Sequence, residues 1–256
     1  MQQKPLILVT NDDGVNAGGI LHLSNIASKF GDVYVIAPDK PQSGMGHAIT
    51  INATIRLHKT HYHKNAVMEY SCSGTPVDCV KMAVNKLLPR KPDLVVSGIN
   101  HGSNSSINVI YSGTMSAAIE GSLEGRSAIG FSLCDFDHEA DFSGTTEYIE
   151  KIISSVLKEK LPNGVCLNVN FPKLKAIEIK GIKVCRQAKA NWVEEFDERH
   201  DPHGRPYYWL TGKFVNFEPE AQDTDEWLLS NGYVTVVPTM HDLTAHNYIN
   251  HLKNVL

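Results

Sequence analysis

Two adjacent carboxylates, Asp12 and Asp13, follow the apolar run LILVT at residues 6–10. Such a run is typical of a buried strand, which gains nothing by ending on two like charges. Close carboxylates repel each other, so one of them would ordinarily take up a proton. A divalent cation removes this repulsion, and oxygen ligands favour magnesium, manganese or calcium. The alternative is an Asp13-Gly14 turn in which Asp12 caps the next helix.

Further oxygen donors follow two other strand-like runs. Ser43 lies in the loop DKPQSGMGH after the run DVYVIAP, and Asn100 directly follows the run DLVVSGI. Ligands of open α/β sheets bind beyond the carboxyl ends of the strands, so donors from three strand ends are expected at one edge. Each residue also has an ordinary explanation, a solvated loop for Ser43 and a left-handed turn for Asn100. Their recurrence at successive strand ends favours a cation site.

A third group of residues, Ser112, Gly113 and Thr114, precedes a helical segment rich in small side chains. Free N–H groups at the start of a helix, with hydroxyls beside them, bind phosphate. The alternative is a plain helix cap, and Thr114 can serve both purposes. A cation held by carboxylates and a helix start that offers N–H groups together indicate a phosphate-ester site.

Strand-like and helix-like segments alternate through the first two thirds of the chain, and they must position these donors. A continuous apolar run such as DLVVSGI is typical of a parallel strand buried on both faces. The pattern predicts an α/β fold, Rossmann-like, with a doubly wound, mostly parallel sheet. The predicted strands cover 6–10, 32–38, 48–57, 93–99, 127–133 and 164–172, and the predicted helices cover 19–30, 75–88, 114–125 and 145–161.

The pattern changes after about residue 180, where two strand-like runs flank the polar loop NWVEEFDERHDPHGR. We predict a projecting β-hairpin over 185–215 and a C-terminal element over 223–256 that ends in a helix. The whole chain, 1–256, is interpreted as a single α/β domain. Aromatic side chains on a projecting element usually meet a partner surface, so the hairpin is predicted to serve assembly rather than chemistry. The alternative is that these side chains cover the domain's own core.

Composition narrows the classes of partner. The formal net charge is −4, so the chain lacks the basic excess of a nucleic-acid binder. No apolar run reaches the ~20 residues that span a bilayer, and the N-terminus does not have the pattern of a secretory signal. The five cysteines form no CxxC pair and no zinc spacing, which indicates reduced thiols. We therefore expect a cytoplasmic protein without a membrane or nucleic-acid partner.

The motifs together resemble the SurE survival-protein family of metal-dependent 5′/3′-nucleotidases. They occur in the family's order along nearly the whole chain. Met115 and Thr239 differ from the residues expected in the family, and neither is a proposed ligand. The matching segments are NDDG (11–14), AP (37–38), SG (43–44), GTPVDCV (74–80), PDLVVSGINHGSN (92–104), YSGT (111–114), AAIEG (117–121), NVNFP (168–172) and DTDEWLLSNGYVTVVP (223–238) with DLT after it.

The resemblance implies a phosphatase of nucleoside 5′- and 3′-monophosphates, with some members also trimming short polyphosphate. It implies one divalent cation per subunit, magnesium or manganese, and homodimers or homotetramers with exchanged C-terminal elements. The implied metal ligands are Asp12, Asp13, Ser43 and Asn100. The implied substrate contacts are Asn11, Asn104, Ser112, Gly113 and Thr114.

Two mechanisms are possible for such a phosphatase, and two other classes of protein are alternatives to it. The favoured mechanism is direct hydrolysis with Asp12 and Asp13 as the catalytic pair, in which Asp12 orients or deprotonates water. The runner-up is a covalent aspartyl-phosphate. A phospho-receiver module also binds magnesium through paired acids, but it needs a phosphoacceptor Asp where this chain has Asn100. A dinucleotide-binding oxidoreductase needs a GxGxxG motif after the first strand, and NDDG stands there instead.

Overall fold

The computed structural model describes residues 4–193 and 195–256, and within them the chain forms thirteen strands and six α-helices. The strands are β1 (Leu6–Thr10), β2 (Asp32–Pro38), β3 (Leu57–Lys59), β4 (Ala66–Cys72), β5 (Leu94–His101), β6 (Ser127–Leu133), β7 (Val165–Phe171), β8 (Ile182–Val184), β9 (Ala190–Val193), β10 (Phe196–His200), β11 (Pro206–Leu210), β12 (Lys213–Asn216) and β13 (Val234–Met240). The helices are α1 (Gly18–Ala27), α2 (Pro76–Met82), α3 (Gly113–Leu123), α4 (Thr146–Lys158), α5 (Asp225–Ser230) and α6 (Ile249–Val255).

Nine strands form one central sheet in the order β3-β4-β2-β1-β5-β6-β7-β13-β8. The six strands from β4 to β7 are parallel to their neighbours, whereas β3 and β13 join antiparallel. β8 pairs parallel to β13 and closes the far edge. The predicted fold class, a doubly wound and mostly parallel α/β sheet with a hairpin excursion and a C-terminal helix, is confirmed.

Helices cover both faces of this sheet because its central strands are apolar on both sides. Every residue of β1 and of β6 is buried. α1 and α4 pack together on one face, where Leu23 of α1 and Ile149 of α4 share one apolar core. α2 and α3 pack on the other face, where Val80 and Met115 belong to a second core. These layers leave the carboxyl ends of the strands open to a ligand.

Close packing of α1 against the sheet depends on Gly19. A Cβ added there would lie 2.0 Å from the Ile99 carbonyl oxygen, so no larger residue fits. α1 therefore packs against the backbone of β5 at Ile99, the residue that precedes Asn100. The predicted start of α2 is also confirmed, since Thr75 and Asp78 form a reciprocal capping box and Pro76 takes the first helical position.

The predicted strand over 48–57 is wrong, and β4 was missed. Residues 48–56 form a loop, in which Ile51 is 76% exposed and Thr50 donates to the Asp78 carboxylate through both its N–H and its hydroxyl. The apolar–polar alternation of this segment has no partner strand to pair with. β4 lacks such alternation because it buries Glu69, whose carboxylate accepts the N–H groups of Tyr62 and His63.

A long antiparallel excursion leaves the sheet after β8. β9 pairs with β12 near the domain, and β10 pairs with β11 beyond them, so the two ladders follow each other along one hairpin. After β13 the chain ends in α6, in which every residue is exposed. None of the helices in the described part of the chain has both the length and the apolar character that crossing a membrane requires.

Candidate active site

The carboxyl ends of β1 and β5 lie side by side at the centre of the sheet, because β5 pairs with β1 on the side opposite to β2. The chain builds β2 and β4 to one side of β1 and then returns to build β5 on the other. Such a topological switch point is where open α/β sheets bind ligands. A cleft of about 370 Å³ opens here. It is lined by Asp12, Ser43, Asn100, Asn104 and Ser112, among others.

Asn11 closes the turn that carries the two aspartates. Its amide nitrogen donates to the Gly14 carbonyl at 2.9 Å, and its amide oxygen accepts the Gly14 N–H at 3.3 Å. Asn11 is fully buried beneath the aspartates and does not line the cleft, although the resemblance implies a substrate contact there. α1 begins after Ala17 with no side-chain cap, so the alternative in which Asp12 caps that helix is wrong.

Asp12 is only 3% exposed and is held by two different elements. The Thr114 hydroxyl donates to Asp12 Oδ1 at 2.5 Å, and the Asp12 carbonyl accepts the Gln42 N–H at 2.7 Å. Burial, followed by the negative charge of Asp13, raises the pKa of Asp12 to about 6, against the opposing effect of the Thr114 hydroxyl. The fold therefore keeps a poorly solvated carboxylate at this position, and a bound cation would relieve its cost.

Asp13 lies beside the end of β5. Its Oδ2 accepts the His101 N–H at 3.4 Å, which places it next to the residue that follows Asn100. Burial raises the pKa of Asp13, while the nearby His101 and His138 rings oppose that shift. Asp13 and Asn100 thus lie at the ends of two neighbouring strands, β1 and β5.

Ser43 is exposed at the rim of the cleft, in the loop that follows β2. On one side of it, the Gln42 N–H bonds the Asp12 carbonyl. On the other side, His47 Nε2 lies 3.0 Å from the buried Glu120 carboxylate of α3. Because the loop is tied to the fold at both points, Ser43 is held at the rim of the cleft, and its role as a ligand stays a prediction.

The side chain of Asn100 is oriented by its own strand end. Its amide nitrogen donates to the carbonyls of His101 at 3.2 Å and of Gly102 at 2.8 Å. These bonds leave Oδ1 as the atom available to a ligand. Asn100 does not take a left-handed conformation, since Ser106 is the only non-glycine residue with a positive φ in the described ranges. The turn explanation for Asn100 is therefore wrong.

Asn104 is buried in a network of amides that sequence reasoning missed. Its N–H donates to Asn170 Oδ1, its side-chain nitrogen to Ser132 Oγ, and its carbonyl accepts from Asn168 Nδ2, all at 2.8 Å. Asn168 and Asn170 alternate along β7, so their side chains face the same side of the sheet. Two buried asparagines in an otherwise apolar strand are a visible signal of such a network.

The same loop has a second anchor at the start of α5. The Ser106 N–H donates to Asp225 Oδ2 at 2.8 Å, and the Ser105 hydroxyl donates to Glu226 Oε1 at 2.5 Å. Burial raises the pKa of both acids, although hydrogen bonds to each carboxylate oppose it. Ser106 itself adopts a φ of +52°. Residues far apart in sequence therefore fix the loop that carries Asn104.

The first residues of α3 pack directly against Asp12. Ser112 caps the helix by accepting the Met115 N–H at 2.9 Å, and it lines the cleft. A Cβ added at Gly113 would lie 2.7 Å from Asp12 Cβ, so only glycine allows this approach. Gly113 and Thr114 thus contact Asp12, which lines the cleft, and are not themselves among the lining residues. The Met115 N–H is satisfied by this cap, so Gly113 and Thr114 carry the first-turn N–H groups that have no partner within the helix.

The donor set suits a hard divalent cation. In residues 4–193 and 195–256, no three His, Cys, Asp or Glu side chains are grouped to hold a metal ion. A cation in the cleft would therefore be bound by two carboxylates and by neutral hydroxyl and amide oxygens. Such a set favours magnesium or manganese, which keep several water ligands. The buried negative charge of Asp12 supplies the matching electrostatics.

Fold and site together define an α/β protein with an oxygen-lined cleft at its switch point, suited to a cation and a phosphate. A family model described as survival protein SurE matches residues 7–194. The chain is 64% identical to the 5′-nucleotidase SurE of Flavobacterium johnsoniae, over 98% of this chain and 96% of that protein. It is 62% identical to that of Christiangramia forsetii, over 99% and 97%.

A solved structure agrees with these comparisons. The crystal structure of the SurE protein from Aquifex aeolicus matches with a TM-score of 0.84 at 38% identity, and the match covers 98% of this chain and 99% of that one. The chain therefore belongs to the SurE family of survival proteins. This membership, and the presence of Asn100 where a receiver needs its phosphoacceptor, exclude the receiver alternative. The same membership excludes the oxidoreductase.

Proposed function

We propose that the protein is a divalent-metal-dependent phosphomonoesterase that hydrolyses nucleoside 5′-monophosphates to nucleoside and phosphate. The observation that carries the proposal is the contact between Asp12 and the first turn of α3, through the Thr114 hydroxyl and the close approach of Gly113. This contact puts a cation-binding carboxylate beside a helix start that can bind phosphate. The relatives named 5′-nucleotidase SurE support the nucleoside monophosphate as substrate.

Four residues would hold one cation per subunit: Asp12 and Asp13 through their carboxylates, Ser43 through its hydroxyl and Asn100 through Oδ1. When bound, a divalent cation supplies positive charge to a phosphate oxygen and lowers the pKa of a water molecule. Magnesium or manganese fits best because every donor is oxygen and the protein donors are few.

The remaining residues bind the phosphate group and orient the attacking water. The first N–H groups of α3, Ser112 and Asn104 bind phosphate oxygens. Asp12 orients the attacking water, since the bond from Thr114 to Oδ1 fixes its carboxylate. Direct hydrolysis is the favoured mechanism. A covalent aspartyl-phosphate is the runner-up, because the two acids directly abut instead of standing in a DxDxT arrangement with separate roles.

The family resemblance supports three finer statements. Nucleoside 3′-monophosphates and short polyphosphate are further substrates, because the site is built around phosphate rather than around one ester position. The protein is a homodimer or homotetramer in the cytoplasm, where its five unpaired cysteines stay reduced. The net charge of −4 gives it no attraction to nucleic acid or to anionic membranes.

The proposal is tested by phosphate release from the purified protein after exhaustive EDTA treatment. We expect no turnover of 5′-AMP or 5′-GMP without metal, and recovery with magnesium or manganese. 3′-AMP and tripolyphosphate in the same assay test the finer substrate assignments. Full activity in a sample shown by elemental analysis to be metal-free would refute the metal requirement. Failure to hydrolyse any nucleoside monophosphate with any divalent metal would refute the activity itself.

A further inference from the structure

A second cavity, of about 500 Å³, adjoins the cleft at the base of the hairpin. Tyr111 and Trp192 line both spaces, so the cavity and the cleft meet across these two side chains. The size of the cavity is within the range of small-ligand sites. The lining residues are Tyr111, Trp192, Glu195, Leu210, Thr211 and Gly212.

We propose that this cavity binds the nucleobase of the substrate, and that Glu195 makes it favour guanine over adenine. The inference rests on the proposed nucleotidase activity and adds the identity of the base to it. The residues proposed to bind the cation and the phosphate do not contact the base. Selection of guanine over adenine therefore requires a second surface.

The indole of Trp192 is fixed before any ligand arrives. Its Nε1–H donates to Asn108 Oδ1 at 2.9 Å, and its ring meets Phe214 edge-on with centroids 5.7 Å apart. With its only polar atom satisfied, the ring offers an apolar surface to the cavity, and the side chain is still 39% exposed. A rigid exposed aromatic face is the surface on which bases stack, with a gain of about 5- to 150-fold in affinity.

Tyr111 links the cavity to the phosphate site. It directly precedes Ser112, so its Cα lies about 3.8 Å from that of the helix cap. Its backbone is held on both sides, because its N–H donates to the Asn108 carbonyl and its carbonyl accepts the Gly46 N–H, each at 3.1 Å. Ser112 lines the cleft, whereas Tyr111 and Trp192 line both the cleft and the cavity, so a nucleotide with its phosphate at Ser112 would reach the cavity past these two side chains.

Glu195 supplies the chemistry that separates guanine from adenine. A carboxylate only accepts hydrogen bonds, and guanine offers it two donors, N1–H and the 2-amino group, in a bidentate geometry. Adenine presents an acceptor at N1, to which a carboxylate cannot donate. Glu195 lines the cavity, and its backbone is fixed there, since its carbonyl accepts the Thr211 N–H at 2.7 Å.

The test compares kcat/KM for 5′-GMP, 5′-IMP, 5′-AMP and ribose 5-phosphate with saturating metal. We expect the parent to follow the order GMP, IMP, AMP, with GMP favoured over AMP by roughly 10-fold, because a bidentate pair discriminates by that order. Glu195→Gln should bring the GMP-to-AMP ratio close to one. Trp192→Leu should lower kcat/KM for all three nucleotides more than it lowers kcat/KM for ribose 5-phosphate. Glu198→Gln, an exposed hairpin residue outside the cavity, should keep the parent ratio.

An unchanged GMP-to-AMP ratio in Glu195→Gln, in an enzyme that turns over nucleotides, would overturn the inference and leave the proposed function intact. No turnover of any nucleotide by the parent would overturn both. Tryptophan fluorescence of the parent gives a readout that needs no variant. GMP should quench it more than ribose 5-phosphate does, and equal responses would contradict a base stacked on Trp192.

Discussion

Asp13 and Asp12 are two acidic residues that the fold holds close together and partly out of water, so each raises the cost of the other's charge. Asp13→Asn removes one of these charges and one cation ligand. We expect the metal-free variant to melt above the metal-free parent, by about 2–4 °C for each kcal/mol of repulsion relieved. We also expect it to lose the rise in melting temperature that magnesium gives the parent by mass action.

Calorimetry in EDTA and over a magnesium titration measures both effects. Glu159→Gln removes one exposed carboxylate at the end of α4 and serves as the matched control. It should melt like the parent and keep the response to magnesium. A normal magnesium response in Asp13→Asn would show that the cation does not depend on this carboxylate.

His63 introduces a pH dependence away from the cleft. Its side chain is 1% exposed, and within the described residues neither ring nitrogen has a hydrogen-bond partner. Burial lowers the pKa of His63, with Glu69 opposing the shift. In the unfolded chain His63 therefore binds a proton near pH 6.5, whereas in the folded chain it binds that proton only at a lower pH. The stability penalty is absent well above pH 6.5 and grows as the pH falls toward the folded-state pKa.

Replacing His63 with Leu removes this titration. The decline in the free energy of unfolding between pH 7 and pH 5 should become shallower in His63→Leu than in the parent. Urea denaturation at several pH values measures it. His203→Leu changes an exposed histidine of the hairpin and should follow the parent curve. Parallel curves for His63→Leu and the parent would assign the acid sensitivity to other groups.

At this scale the sequence predicts the residues that line the cleft better than those that support it. Asp12, Ser43 and Asn100 stand out because these polar donors lie at or shortly after the ends of apolar strands. Asn168 and Asn170 act only through pairing with a loop more than sixty residues earlier in the chain, at separations of 64 and 66 residues. Nothing local to β7 identifies that loop as their partner.

Among the elements, those with one strong local signal were predicted well. β6 spans the predicted 127–133, because a continuous apolar run is buried on both faces. The error at 48–57 has a physical cause, since a strand also needs a neighbour and this segment bonds to the start of α2 instead. The reversed direction of β13 depends on its pairing with β7, which no pattern within β13 records.

The start of α3 offers a test of close packing between elements. Gly113→Ala adds a Cβ within 2.7 Å of Asp12 Cβ, so either the helix start or the carboxylate must move. We expect about 1–3 kcal/mol lower stability, as for other overpacked sites, together with weaker magnesium binding. Denaturant unfolding and the magnesium-dependent melting temperature measure the two effects.

Gly18→Ala is the matched control for Gly113→Ala. It also lies at a helix start, but its added Cβ would come no closer than 3.7 Å to another residue. This variant should keep both the stability and the magnesium response of the parent. If Gly113→Ala behaved in the same way, α3 would have room to shift without disturbing Asp12.

At the scale of the whole molecule, the hairpin and α6 each expose apolar side chains in the single chain. On the hairpin, Phe196 and Trp209 are 67% and 58% exposed. On α6, Ile249, Leu252 and Val255 recur at every third residue and form one stripe. Contiguous exposed apolar surface marks an interaction site, and we expect these two surfaces to join copies of this chain.

Leu252→Glu puts a charge into the α6 stripe. It should lower the mass measured by light scattering, because a buried unpaired carboxylate disfavours association. Lys253→Glu changes the charge of the neighbouring exposed residue on the same helix and should leave the mass as in the parent. An unchanged mass in Leu252→Glu would show that α6 does not serve assembly.

The bond from the Ser106 N–H to Asp225 has a consequence for the protein during its synthesis. At ~5–20 residues per second, the ribosome needs about 6–24 s to add the 119 residues that separate them. Throughout that interval a nascent chain already contains its aspartates, Ser43 and Asn100, and it gains α3 early in the interval. The loop that carries Asn104, however, has no anchor at α5. The cleft therefore becomes complete only after α5 has been synthesised and has left the ribosome.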